Sequence, residues 1–197
     1  STTKSSPVVV GYNFYKVYAG GLNSVAIDQN NLAYIWGTNA GGQLGNGTTI
    51  NRSTPSLIGL GIDPWKSFSV SQHVLALKVD NTLWSWGLNS NGQLGDTSTL
   101  TRSSPVQIGT NSWTTVSVNG GGAAPYATMA IRSDNTLYGW GNNANYSIGD
   151  NTSNNRSTPT LVTGPINSWN SISAGASHTI GIGTDNKLYI WGSDTGN

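Results

Sequence analysis

At 197 residues the chain is long enough to bury a sizeable core. Only 9% of its residues are charged and its net charge is +1, yet it carries eight Trp and eight Tyr. The aromatics exclude a disordered chain, and the nine scattered cations leave no basic field for a phosphate backbone, so nucleic acid is not an expected partner. No apolar run approaches the roughly twenty residues that span a bilayer. Without Cys the redox compartment cannot be read. No signal peptide is visible at Ser1-Thr2-Thr3-Lys4, as expected of a mature chain or of an excised fragment alike.

Taken from the N-terminus, the chain repeats itself. A basic-Ser-x-Pro element occurs at Lys4 to Pro7 and returns at Arg52 to Pro55, Arg102 to Pro105 and Arg156 to Pro159. An aromatic follows each copy some eight to ten residues later: Phe14 with Tyr15, then Trp65, Trp113 and Trp169. The pair Trp-Gly closes each unit at Trp36, Trp86, Trp140 and Trp191, with spacings of 50, 54 and 51. Three anchors in one fixed order define four units, approximately 1–48, 49–98, 99–152 and 153–197, the last incomplete.

Inside each unit the pattern is that of strands. Leu75 to Val79, the turn at Asp80-Asn81, and Leu83 to Trp86 form a predicted hairpin. Matching turns sit at Asn30-Asn31, Asp134-Asn135 and Asp185-Asn186, and Asn and Asp accept the positive φ angles of tight turns. The alternation of Leu188-Tyr189-Ile190-Trp191 has the period of two of a pleated sheet. No stretch has a helical period. Short strands with a turn signal about every ten residues describe an all-β chain of β-propeller blades, each a four-stranded antiparallel sheet.

The run Trp86-Gly87-Leu88-Asn89-Ser90-Asn91-Gly92-Gln93-Leu94-Gly95-Asp96, the segment Arg102 to Gly109, and Ser173-Ala174-Gly175-Ala176-Ser177-His178-Thr179 carry a family resemblance. Together they resemble the regulator-of-chromosome-condensation repeat family along the whole chain, with a bacterial or viral member expected. The resemblance implies a four-stranded blade per repeat and, in typical members, a seven-bladed ring of about 350 residues at this repeat length. This chain has four units, and both its ends fall within the same loop of the repeat. It is therefore expected to be a slice of a longer array, or a half-ring that pairs with another copy. A closed four-bladed ring fits less well, because the family's blades suit a wider circle.

Candidate chemistry is sparse. Eight Trp invite a light-sensing reading, since one plant ultraviolet receptor resembles this family. However, Trp36, Trp86, Trp140 and Trp191 share one repeat position, and Trp65, Trp113 and Trp169 another, as blade packing requires. The repeated glycines lie between no strand and helix, so they cradle no phosphate and are read as turn positions. His73 and His178 share a position held by Asn23 and Ala127 in the other units; a ring could turn both toward a central channel, but a metal site needs several converging ligands and the chain has no Cys or Glu to add, so backbone-bonding histidines are the expectation. Most Asp belong to turns, no Ser has a nucleophile elbow, and five Asn-x-Ser/Thr sequons match the number chance provides. The expectation is no enzyme, no metal and no cofactor.

Departures from the repeat point to binding. The third unit inserts Gly120 to Tyr126 before Ala127, and places Tyr146 and Ser147 where other units have Gly and Gln. Pro125, Tyr126, Tyr146 and Ser147 are the candidate contact residues, since Tyr favours interfaces. The partner is expected to be a protein or further copies of the chain, in a virion, tail or extracellular surface assembly. Two alternatives follow from the resemblance: an intracellular exchange factor or chromatin adaptor like the family namesake, and a propeller that inhibits an enzyme.

Overall fold

The computed structural model describes residues 6–11, 13–59, 64–119 and 126–193. They form four antiparallel sheets in which strands adjacent in sequence are adjacent in space. The first blade contains β1 (Phe14–Gly20), β2 (Asn23–Asp28), β3 (Ala33–Gly37) and β4 (Arg52–Leu57). The second contains β5 (Trp65–Val70), β6 (His73–Lys78), β7 (Leu83–Gly87) and β8 (Arg102–Gln107). In the third are β9 (Trp113–Val118), β10 (Ala127–Arg132), β11 (Leu137–Gly141) and β12 (Arg156–Leu161). The fourth has β13 (Trp169–Ala174), β14 (His178–Gly183) and β15 (Leu188–Gly192).

Two features differ from the expected four-stranded pattern. Among the described residues the fourth blade has three strands. The basic-Ser-x-Pro segments also end blades, because Gly37 pairs with Arg52, Gly87 with Arg102 and Gly141 with Arg156. The sheets therefore lie out of phase with unit limits counted from that element.

The central hairpins form where Asn takes the left-handed conformation. Asn31, Asn81, Asn135 and Asn186 have φ between 61° and 67°. An aspartate oxygen ties each turn: Asp28 Oδ1 accepts the Leu32 amide at 2.9 Å and Asp80 Oδ1 accepts the Thr82 amide at 2.9 Å.

Successive blades are joined face to face. Val25, Ile27, Ala33 and Ile35 of blade 1 pack against Trp65, Phe68 and Trp86 of blade 2. Leu75, Leu77 and Leu83 then meet Trp113, Val116 and Trp140, and Met129, Ile131 and Leu137 meet Trp169, Ile172 and Trp191. Within a joint the indoles touch, with Trp65 and Trp86 ring centroids 5.7 Å apart and Trp169 and Trp191 5.4 Å apart. Burying each such ring contributes about 2–3 kcal/mol. Trp65, Trp86, Trp113, Trp140 and Trp169 are buried, whereas Trp36 and Trp191 are half-buried.

A hydrogen bond fixes each joint. The indole Nε1 of Trp86 donates to the Gln43 carbonyl at 2.9 Å, Trp140 to Gln93 at 2.9 Å, and Trp191 to Ser147 at 3.0 Å. The acceptors lie on the loop between the third and fourth strands of the preceding blade. That loop crosses the indole through a glycine with positive φ: a Cβ on Gly45 or Gly95 would lie 2.7 Å from the next blade's Trp Nε1.

His73 belongs to the joint between blades 2 and 3, where it is fully buried and 2.8 Å from Thr128 Oγ1. Thr128 donates its own proton to the Gln93 carbonyl at 2.8 Å, so His73 Nε2–H is the donor to Thr128. The ring is neutral, and burial pushes its pKa from 6.5 down to about 3. A depressed folded-state value means that the unfolded chain takes the proton first, so stability is full above about 6.5 and falls as the pH drops toward 3. Unfolding free energies from urea titrations between pH 7 and 4 should fall by about 1.4 kcal/mol per pH unit below about 6. His73→Asn, which places at this position the residue that blade 1 has, should flatten that limb; equal slopes for both proteins would contradict the assignment.

Candidate protein interface

The loops that hold the joints also build one end of the molecule. In each blade the turn from first to second strand and the long loop from third to fourth strand emerge at the same end, because strand direction alternates across the sheet. Residues 38–51, 88–101 and 142–155 are the long loops. Each is organised by one buried asparagine three residues after the Trp. Asn39 Nδ2 donates to the Thr48 and Ile50 carbonyls at 2.9 and 3.1 Å, while its Oδ1 accepts the Leu44 amide at 2.8 Å. Asn89 does the same to Ser98, Leu100 and Leu94, and Asn143 to Thr152 and Ile148. One carboxamide thus ties both arms of a loop. The recurrence of Asn three residues after Trp36, Trp86 and Trp140 was the sequence signal for it.

Ion pairs brace two of the loops. Arg102 Nε lies 2.8 Å from Asp96 Oδ2, and Arg156 Nε lies 2.7 Å from Asp150 Oδ2. Burial alone would raise the Asp96 pKa, but the Ser98 hydroxyl and the Arg102 guanidinium outweigh it and hold the carboxyl below its ordinary range. Backbone bonds pin the loops onto the next blade, from Gly47 N to Ser103 O at 2.8 Å and from Thr97 N to Ser157 O at 2.9 Å.

Apolar tips project from this stiff base. Ile50 and Leu100, at equivalent positions of loops 1 and 2, are exposed, as is Leu22 in the β1–β2 turn. On the third loop Tyr146 is exposed at 58%. Tyr146 also has φ 58°, matching Gly42 and Gly92 at φ 74° and 79°. A bulky residue in this region is strained.

The four sequence candidates separate. Tyr146 is at the exposed end just described. Tyr126 is half-buried and leads into β10 at that same end, its carbonyl accepting the Asn142 amide at 3.0 Å. Ser147 is buried, and its carbonyl receives both Trp191 Nε1 and Thr179 Oγ1, the latter at 2.9 Å. Its side chain offers no outer surface. Pro125, with most of the third-unit insertion, lies outside the described residues.

The inner strands β1, β5, β9 and β13 line a groove of about 360 Å3 that includes Tyr18, Phe68, Ser69, Ser117 and Ser173. Two of its hydroxyls serve the scaffold, since Ser69 Oγ accepts the Val118 amide and Ser117 Oγ the Ala174 amide, both at 2.9 Å. His73, buried against Thr128, is not among the residues that line this groove. Among the described residues no group of three or more metal-ligating His or Asp side chains converges, and no helix is long and apolar enough to cross a membrane.

A relative named X-linked retinitis pigmentosa GTPase regulator homolog, from Caenorhabditis elegans, is 35% identical over 65 residues, or 32% of this chain and 5% of that protein. Prp20p from Saccharomyces cerevisiae, whose structure was described with its binding properties to Gsp1p and histones, superimposes with a TM-score of 0.75 at 23% identity. That match covers 94% of this chain and 47% of Prp20p. Human WBSCR16 gives a TM-score of 0.75 at 21% identity, covering 91% of this chain and 47% of its own. The chain spans less than half the length of these relatives. These structures share its propeller fold. The sequence model of the regulator of chromosome condensation (RCC1) repeat matches residues 30–77, 80–123 and 134–182, and a second model of that repeat matches 169–196. With recurrent Trp-Gly joints, Asn-tied loops and three matched repeats, the chain belongs to the RCC1 repeat family.

Proposed function

We propose that this chain is a non-catalytic protein-binding scaffold of a virion, tail or extracellular surface assembly of bacterial or viral origin. It holds its partner at the loop end that carries Ile50, Leu100, Tyr126 and Tyr146. The observation that carries this reading is Tyr146. Its left-handed backbone costs about 1–2 kcal/mol, and a ring exposed at 58% regains little of that by packing. Strain kept at a solvent-facing aromatic supports a contact role, and Tyr gives large contact area for few rotatable bonds.

Charge supports the surface-assembly setting. The nine cations are dispersed, and Arg102 and Arg156 are held by Asp96 and Asp150. The namesake reading, an exchange factor or a chromatin adaptor, draws on the Gsp1p and histone binding of Prp20p. A histone-DNA surface asks for basic clusters, which this sequence does not offer. The low charge and the amide- and hydroxyl-rich composition suit display outside the cell.

Two measurements test the reading. Tyr146→Gly should raise stability by about 1 kcal/mol, through relief of backbone strain, while weakening partner capture. A photoreactive phenylalanine analogue at position 146 should cross-link a protein on particles or surface fractions of the native source. The same group at Val79, on a hairpin at the opposite end, should not. Equal labelling from both positions, or labelling only of intracellular proteins, contradicts the proposal.

A further inference from the structure

The joint between blades 2 and 3 differs from its neighbours in how its polar atoms are satisfied. At the first joint, Gln43 Oε1 accepts the Gly41 amide at 2.8 Å, and Gln43 Nε2 reaches across to Gln72 Oε1 at 3.2 Å. Gln93 Oε1 accepts the Asn91 amide at 2.9 Å in the same way. Blade 3, however, has Tyr126 where blade 2 has Gln72, and Gln93 Nε2 is buried without a protein partner. Trp113 Nε1 and His73 Nδ1, in the same joint, are buried without one too. Each such atom forgoes hydration in the closed joint and regains it on opening.

Among the described residues this joint also has an ionisable bridge. His73 Nε2–H is committed to Thr128 of blade 3, so a second proton can enter only at Nδ1. Asn23 and Ala127 hold this position at the joints on either side. No charge stands ready to stabilise an imidazolium. Gly87, which pairs with His73, and Thr128 with the Gln93 carbonyl beyond it are uncharged. β7 and β9 carry no charged residue, and the connection into β10 brings only the phenol of Tyr126. Lys66, Lys78 and Arg132 lie toward the far ends of β5, β6 and β10, and Asp96 of the second loop is held by Ser98 and Arg102. Burial holds the His73 pKa near 3 against 6.5 in water, so the open joint takes the proton first and acid favours opening.

We infer that His73 is an acid-sensitive lock: its protonation parts blade 2 from blade 3 while the joints on either side hold. The blades can part without unravelling, because each sheet is built within one blade and no strand pairs across a joint. Leu100 and Tyr146 stand on the long loops of the two blades that part. Under the loop-end reading proposed above, on which this consequence rests, acidification therefore splits the contact surface and releases the partner.

Amide hydrogen exchange on the whole chain, read residue by residue and corrected for the intrinsic rate, tests the lock without any partner. Across the joint between blades 2 and 3, the Thr97 amide bonds to the Ser157 carbonyl and the Val118 amide to Ser69 Oγ. The Gly47 amide on Ser103 reports the joint before it, and the Ala174 amide on Ser117 Oγ the joint after it. Below about pH 6, exchange at Thr97 and Val118 should quicken about tenfold per pH unit, while Gly47 and Ala174 keep their protection. His73→Asn should abolish that dependence, with His73→Gln as the second variant should the first fold poorly, and His178→Asn should preserve it. Equal acceleration at all four amides, acceleration at none, or a dependence that survives loss of His73 overturns the lock. The cross-linking at position 146, run at neutral pH and again at about pH 5, reads the consequence. Labelling lost in acid supports release, and equal labelling overturns it. No labelling at neutral pH strikes the loop-end reading, while exchange still decides the lock.

Discussion

Every joint in this molecule depends on an indole lying beneath a backbone loop of the neighbouring blade. The ring buries a large apolar area, while its Nε1–H needs an acceptor that does not spoil the apolar surface. The carbonyls of Gln43, Gln93 and Ser147 supply it. Close approach demands that the loop present no side chain above the ring, hence Gly45, Gly95 and Gly149. The length of the repeat follows from these needs. Four short strands and one loop long enough to reach the next Trp consume about fifty residues, and Asn39, Asn89 or Asn143 keeps that loop from collapsing.

In the proposed function the loop end, not the rigid joints, holds the partner. The inner groove uses its serines to bond blade to blade, and buried His73 is committed to Thr128. At the loop end, by contrast, Ile50, Leu100 and Tyr146 face solvent without serving a joint.

The sequence exposes most of the fold because the joint is repeated, so identity at fixed intervals stands out in the Trp-Gly pairs and Asp-Asn turns. The phase of the blades was not legible. A basic-Ser-x-Pro segment can begin one sheet or end another, and only its pairing with Gly37, Gly87 or Gly141 decides. Ser147 stood out by departing from Gln, yet the repeat uses that residue's main-chain carbonyl, which any side chain provides. Tyr146 stands out in the sequence against Gly42 and Gly92 at its repeat position, although the cost of its left-handed backbone required coordinates. Asn39 and its equivalents were legible and missed, since Asn abounds in this chain and no chemistry drew attention to them.

The glycine above the indole is the most direct test of the joint. Gly95→Ala places a methyl 2.7 Å from Trp140 Nε1 at φ 75°, whereas Gly164→Ala meets nothing within 4 Å. Chemical denaturation should show a loss of about 2–4 kcal/mol for the first, from backbone strain plus overpacking. The second should stay within about 1 kcal/mol of wild type. Equal stabilities for the two variants would contradict the claim that close loop-on-indole packing holds the blades together.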